Sequence, residues 1–228
     1  MQTLRPRAGR RVQVALAALA YASLASFTHA PADPVRPGVE ALARLRAGNE
    51  RFVHAQRAEA GQAPAAAPAA MVLTCADMRM APEIIFDTAP GELFVVRSLG
   101  QVVDRSVTAS LEHGGEVLHL PLLVVMGHDH CAAVTAAAEP PATALSAHLE
   151  FLVKAIRAGL SRTPAEQQDV RAAVLANVEQ VINDLLGASA LLRTGVQSGR
   201  LQVVGAYYDS GTGQVVFSEP VNPAMSWH

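Results

Sequence analysis

"LPLLVVMGHDHCAAV", residues 120–134, decides the fold. Its first half is a continuous apolar run, where a strand with one wet face would alternate apolar and polar residues. Such a run reads as a strand covered on both faces. Helix-favouring small residues follow at once, so "CAAVTAAAE" begins a helix directly after the strand. His128 and Cys131 fall in the turn between the two.

Working outward, "MVLTC" (71–75) and "LFVVRS" (93–98) read as two more buried-type strands. "APEIIFDTA" (81–89) forms a helical turn or short helix with Pro82 early. A helix starts near Asp104 and is weakened by Gly114-Gly115. Two further helices span about 142–160 and 165–194, split by "SRTP". The face Leu175, Val178, Ile182 and Leu185 is spaced for helical packing. "LQVVGAYYD" and "GQVVFS" are strands joined by the turn "SGTG" (210–213). Strands alternating with helices predict an α/β fold. Its central sheet is mostly parallel, flanked by helices and closed by an antiparallel edge hairpin.

The chain has 228 residues, enough for one domain with a core and an appendage. Net charge is −2 and aromatics are only 4%, with no basic block, so nucleic acid is not expected as a partner. The first thirty residues carry Arg5, Arg7, Arg10 and Arg11, then an apolar run from Val12 to Phe27, then "THA" ending at Ala30. That order predicts a signal peptide over 1–30, with Arg10-Arg11 a weak twin-arginine pattern. The apolar run is short for a span of about 20 residues, and an uncleaved anchor is the alternative. The expectation is a periplasmic or secreted protein with no stable membrane association after cleavage. Residues 31–70 form an arm: an amphipathic helix over 38–54, with Val39, Leu42, Leu45 and Phe52 apolar, and an Ala/Pro-rich connector over 58–70. The α/β domain would then occupy 71–228.

In open α/β sheets, ligands sit beyond the carboxyl ends of the strands. Cys75 ends one predicted strand, and His128 and Cys131 follow another, so the three can share a crevice. The chain has two cysteines, and in an oxidising compartment they can pair as a disulfide, bind metal or be buried apolar groups. Two sulfurs and one imidazole suit zinc, and three protein ligands leave a fourth position open. In "CADMR" (75–79), Cys75, Asp77 and Arg79 alternate, so an extended chain points them one way.

"CADMR", "APEIIFDTAPGELFVVRSLG", "SLEH" and "LLVVMGHDHCAAV" resemble the β-class carbonic anhydrases, as do "LRAGNERFV" (45–53) and "LQVVGAYYDSGTGQVVF" (201–217). The resemblance covers most of the chain after the signal segment. It implies Cys75, His128 and Cys131 as ligands of one Zn²⁺ per subunit, and Asp77 with Arg79 as the catalytic dyad. Arg79 would keep Asp77 ionised and draw it from the metal. The implied activity is reversible hydration of CO2 to bicarbonate and a proton through a zinc-bound hydroxide. The implied assembly is a homodimer or homotetramer. The sequence departs from the family pattern at Met78 (usually Ser), at Leu99 and Gln101 in "LGQ" (usually "AGN"), at His113 (usually Tyr), and at Ala132-Ala133 (usually Gly-Ala). Met78, Leu99 and Gln101 keep open a carbonyl sulfide or carbon disulfide hydrolase on the same scaffold. A catalytically silent zinc-binding or disulfide-bonded module is the other alternative. His130 and His113 are candidate proton carriers. Phe86 and Val102 suit either a CO2 pocket or the core.

Overall fold

The computed structural model describes residues 36–54, 67–79, 81–139, 143–161 and 169–225. The predicted signal segment and most of the Ala/Pro connector lie outside them. Five strands form one sheet in the order β2-β1-β3-β4-β5. They are β1 (Ala70–Cys75), β2 (Leu93–Ser98), β3 (Leu122–His128), β4 (Gln202–Tyr208) and β5 (Val215–Phe217). β2, β1, β3 and β4 run parallel, and β5 returns antiparallel to β4. β3 is buried along its whole length, as its unbroken apolar run predicts.

Seven helices are described: α1 (Arg36–Val53), α2 (Pro82–Ile85), α3 (Arg105–Glu112), α4 (Ala132–Ala138), α5 (Ala147–Leu160), α6 (Val170–Ala188) and α7 (Ala190–Gln197). Alternate strand residues face two cores. Leu122, Val124, Met126 and Val204 meet α1, α4 and α5 on one face. Leu123, Val125 and Val203 meet α3, α6 and α7 on the other. At about 1.5–3 kcal/mol for each fully buried aliphatic side chain, these two layers fix the register of the strands.

Local chemistry explains where the elements differ from the sequence reading. Asp104 caps α3 by accepting from the Val107 N–H at 2.8 Å. After Glu112 the chain widens into a π turn, His113–Val117, at the glycine pair. A Cβ at Gly114 would lie 2.4 Å from Met71 Sδ, so any side chain there would have to displace that buried methionine. The single helix expected over 165–194 is broken at Ser189. Its hydroxyl accepts from the Leu192 N–H at 3.2 Å, capping α7, and lies 2.6 Å from Glu112 Oε1. Helix α5 begins later than predicted, at the cap Ser146. Leu175 is 43% exposed, so it leaves the packing face assigned to it, while Val178, Ile182 and Leu185 are buried. Val39 likewise points outward from α1, whose inner face is Ala41, Leu42, Leu45 and Gly48.

Helix α1 packs on its own chain. Gly48 lets it approach α2, where a Cβ would stand 1.8 Å from the Phe86 carbonyl oxygen. Asn49 then ties three segments together. Its Nδ2 donates to the Ile85 carbonyl at 3.1 Å and to the Gly213 carbonyl at 2.9 Å, and its Oδ1 accepts from the Val215 N–H at 2.8 Å.

Candidate metal centre

β1 and β3 are neighbours, and the chain leaves them in opposite directions, toward β2 and toward β4. Their carboxyl ends are therefore a topological switch point, where open α/β sheets bind ligands. Cys75 is the last residue of β1, His128 the last of β3, and Cys131 precedes α4. Their donor atoms lie within 4.8 Å of one another, and all three residues are buried.

The two sulfurs are 3.7 Å apart and unbonded. A disulfide needs about 2.05 Å. Two sulfurs each about 2.3 Å from one tetrahedral ion stand about 3.8 Å apart, so the pair is spaced for zinc. The imidazole is also poised: His128 Nδ1 lies 2.7 Å from the Asp129 carbonyl oxygen, and Nε2 is buried with no hydrogen-bond partner. A carbonyl on Nδ1 fixes the tautomer that leaves Nε2 as a metal donor. The donor set fits Zn²⁺.

Backbone amides support the first sulfur. Cys75 Sγ accepts from the Asp77 N–H at 3.3 Å and the Gly100 N–H at 3.1 Å. Gly100 turns toward it with a left-handed φ of 64°. Without metal, Cys75 is the thiol that ionises first. Its pKa is held down at about 4 by the hydrogen bond with Cys131, against the cost of burial, with help from His128 and the two amides. Cys131 is pushed up, first by that same hydrogen bond and then by burial. Burial pulls the His128 imidazole down, but the neighbouring Cys75 sulfur and the Asp129 carbonyl outweigh it, and the net shift is upward.

Above the donors opens a crevice of about 510 Å³, lined by Asp77, Met78, Arg79, His128, His130 and Tyr208 among others. The structure thus brings Asp77 and Arg79 to one cavity. The ion pair expected between them does not form within 4.0 Å among the described residues. Asp77 Oδ2 instead accepts from the Ala132 N–H at 2.9 Å, the first amide of α4. Met78 is buried, its sulfur 3.5 Å from Thr74 Oγ1, whose hydroxyl donates to the Met126 carbonyl at 3.0 Å. The Met78 carbonyl accepts from Arg97 Nη1 at 3.0 Å. Gln101 is buried with a left-handed φ of 47°, and neither end of its amide has a partner. His113 stacks near Phe94, with ring centroids 6.2 Å apart, and does not line the crevice. Phe86 and Val102 belong to the core. His130 is exposed at the rim, with a φ of 51°.

Three contributors escaped the sequence reading. The Gly100 and Ala132 amides carry no side-chain signal. Ser210 was read only as part of a turn, yet it binds the carboxylate of Asp129 beside His128.

Fold and site together define an α/β protein with a cysteine–histidine donor set, suited to a metal ion, at the switch point of its sheet. A family model described as carbonic anhydrase matches residues 70–215. Carbonic anhydrase 2 of Mycobacterium tuberculosis is 34% identical over 201 residues, covering 80% of this chain and 94% of the relative. The carbonic anhydrase of Mycolicibacterium smegmatis is 33% identical over 195 residues, covering 78% and 91%. Among solved structures, the Coccomyxa β-carbonic anhydrase in complex with acetazolamide superposes with a TM-score of 0.61 at 25% identity, covering 80% of this chain and 84% of that one. The chain belongs to the β-class carbonic anhydrase family.

Proposed function

We propose that this protein hydrates CO2 reversibly to bicarbonate and a proton, with one Zn²⁺ held by Cys75, His128 and Cys131. The observation that carries this reading is the three-donor set itself: two sulfurs at zinc spacing and an unpartnered Nε2 beneath an open crevice. When bound there, zinc supplies Lewis acidity that makes water a nucleophile near neutral pH.

The chain's own residues do the rest. Asp77, anchored by the Ala132 amide, presents its carboxylate to the crevice and acts as the acceptor that orients water. Arg79, exposed in the same crevice, supplies a positive charge for the bicarbonate product. The His130 imidazole at the rim lies on the way to solvent.

The protein works outside the cytoplasm as a homodimer or larger homo-oligomer. Export is supported by the basic, apolar and small-residue order of residues 1–30. No helix among the described residues is long and apolar enough to cross a membrane. Assembly is supported by the sheet-edge strand β2, whose Phe94, Val95 and Val96 are only half-buried, and by exposed Val117 and Leu118.

Stopped-flow CO2 hydration by the zinc-loaded protein tests the activity. Asp77→Asn keeps an oxygen for the Ala132 amide but removes the charge, and should lower kcat by about 10²–10⁴-fold. Zinc-loaded protein that does not exceed the buffer rate at any pH would overturn the assignment.

A further inference from the structure

The turn that carries His128 is tied to a distant loop through one side chain. Asp129 is held at three points. Its N–H donates to the Tyr208 carbonyl at 3.0 Å. Its Oδ1 accepts from the Ser210 N–H at 3.0 Å, and its Oδ2 from the Ser210 hydroxyl at 2.7 Å. The carboxylate is only 16% exposed, while its other neighbour, His130 Nε2, is 3.7 Å away and 91% exposed. The Asp129 carbonyl oxygen is the atom that meets His128 Nδ1 at 2.7 Å. A residue fixed at its N–H and both carboxylate oxygens cannot rotate its carbonyl freely. That carbonyl is what selects the imidazole tautomer.

We propose that Asp129, pinned by Ser210, is a positioning residue that holds the His128 ring with Nε2 aimed at the metal. This rests on the metal-binding reading of Cys75, His128 and Cys131. The pin links the metal turn to the β4–β5 loop, which Asn49 in turn fastens to α1 through Gly213 and Val215. Asp129 also lines the crevice, but with its carboxylate engaged by Ser210 its part in this scheme is to act through His128.

The test is metal binding in the full protein, with zinc competition against a chromophoric chelator and the visible spectrum of the cobalt(II)-substituted form. Asp129→Ala frees the carbonyl and should weaken zinc about 10–100-fold, the range for residues that orient a ligand. It should also shift the cobalt bands and the His128 ring ¹⁵N resonances. Asp129→Asn can still accept from the Ser210 N–H and donate to the Ser210 hydroxyl, so it should restore both affinity and spectrum. Two results overturn the proposal: Asp129→Ala with wild-type affinity and spectrum, or Asp129→Asn as weak as Asp129→Ala. Should Asp129→Ala not fold, Ser210→Ala and Ser210→Thr decide. The alanine should weaken zinc and the hydroxyl-bearing threonine should not; equal wild-type binding by both overturns the pin. Wild-type protein that takes up no zinc would instead sink the metal reading beneath it.

Discussion

Removing the side chain of Asn49 should destabilise the protein by about 3 kcal/mol without touching Cys75, His128 or Cys131. Asn49 is 6% exposed and makes three hydrogen bonds, to the Ile85 carbonyl, the Gly213 carbonyl and the Val215 N–H. Each bond contributes roughly 0.5–1.5 kcal/mol net, and a buried group left without a partner costs about 1–3 kcal/mol. The two bonds to the hairpin are partly buried, so water recovers part of the loss and about 3 kcal/mol remains for Asn49→Ala. Against a typical total of about 5–15 kcal/mol, that is a large share. Asn49→Asp sharpens the test. It keeps the acceptor for Val215 but replaces the donating Nδ2 with a carboxylate oxygen that faces two carbonyl oxygens, so it should be at least as damaging as alanine. Urea unfolding of the zinc-loaded variants, followed by circular dichroism, measures both. A loss below about 0.5 kcal/mol for Asn49→Ala, within the range of an ordinary surface change, would refute the view that Asn49 staples α1 to the hairpin.

Zinc uptake should release protons. In the metal-free site the Cys75 thiol is shifted down, the Cys131 thiol up and the His128 imidazole up. Calorimetry at pH 7 in buffers of different ionisation enthalpy should therefore find about one proton from Cys131 plus a fraction from His128. Zinc affinity should accordingly rise with pH, and a pH-independent affinity would contradict the assignment. Gln101→Met removes a buried amide with neither end paired while keeping an unbranched side chain of similar length. It should raise stability by about 1 kcal/mol in the same urea assay, and a comparable loss would show that the amide has a partner.

Much of this molecule can be read along the chain, because the decisive signals are local. The unbroken run of β3 announces a doubly covered strand, and the pairing of thiols with an imidazole at strand ends announces a metal. The neighbours of those groups are set by geometry that residue types do not encode. Alternation along "CADMR" suggests that Asp77 and Arg79 lie together, but the chain turns after Cys75, and the carboxylate meets the first amide of α4 instead. Ser189 looks like one polar residue in a long helix until Glu112, 77 positions earlier, comes beside its hydroxyl. Asp129 and Ser210, 81 residues apart, meet only because β3 and β4 are paired in register.

The two sulfurs of the centre are 56 residues apart in the chain and reach each other only where β1 lies against β3. His128 and Cys131 are near neighbours at any stage, so a folding chain can offer those two donors early. The third arrives only with the pairing of the central strands. An ion held by all three is thus a rivet through the middle of the sheet: its capture marks the moment at which the two halves of the domain have closed, and its loss loosens them together.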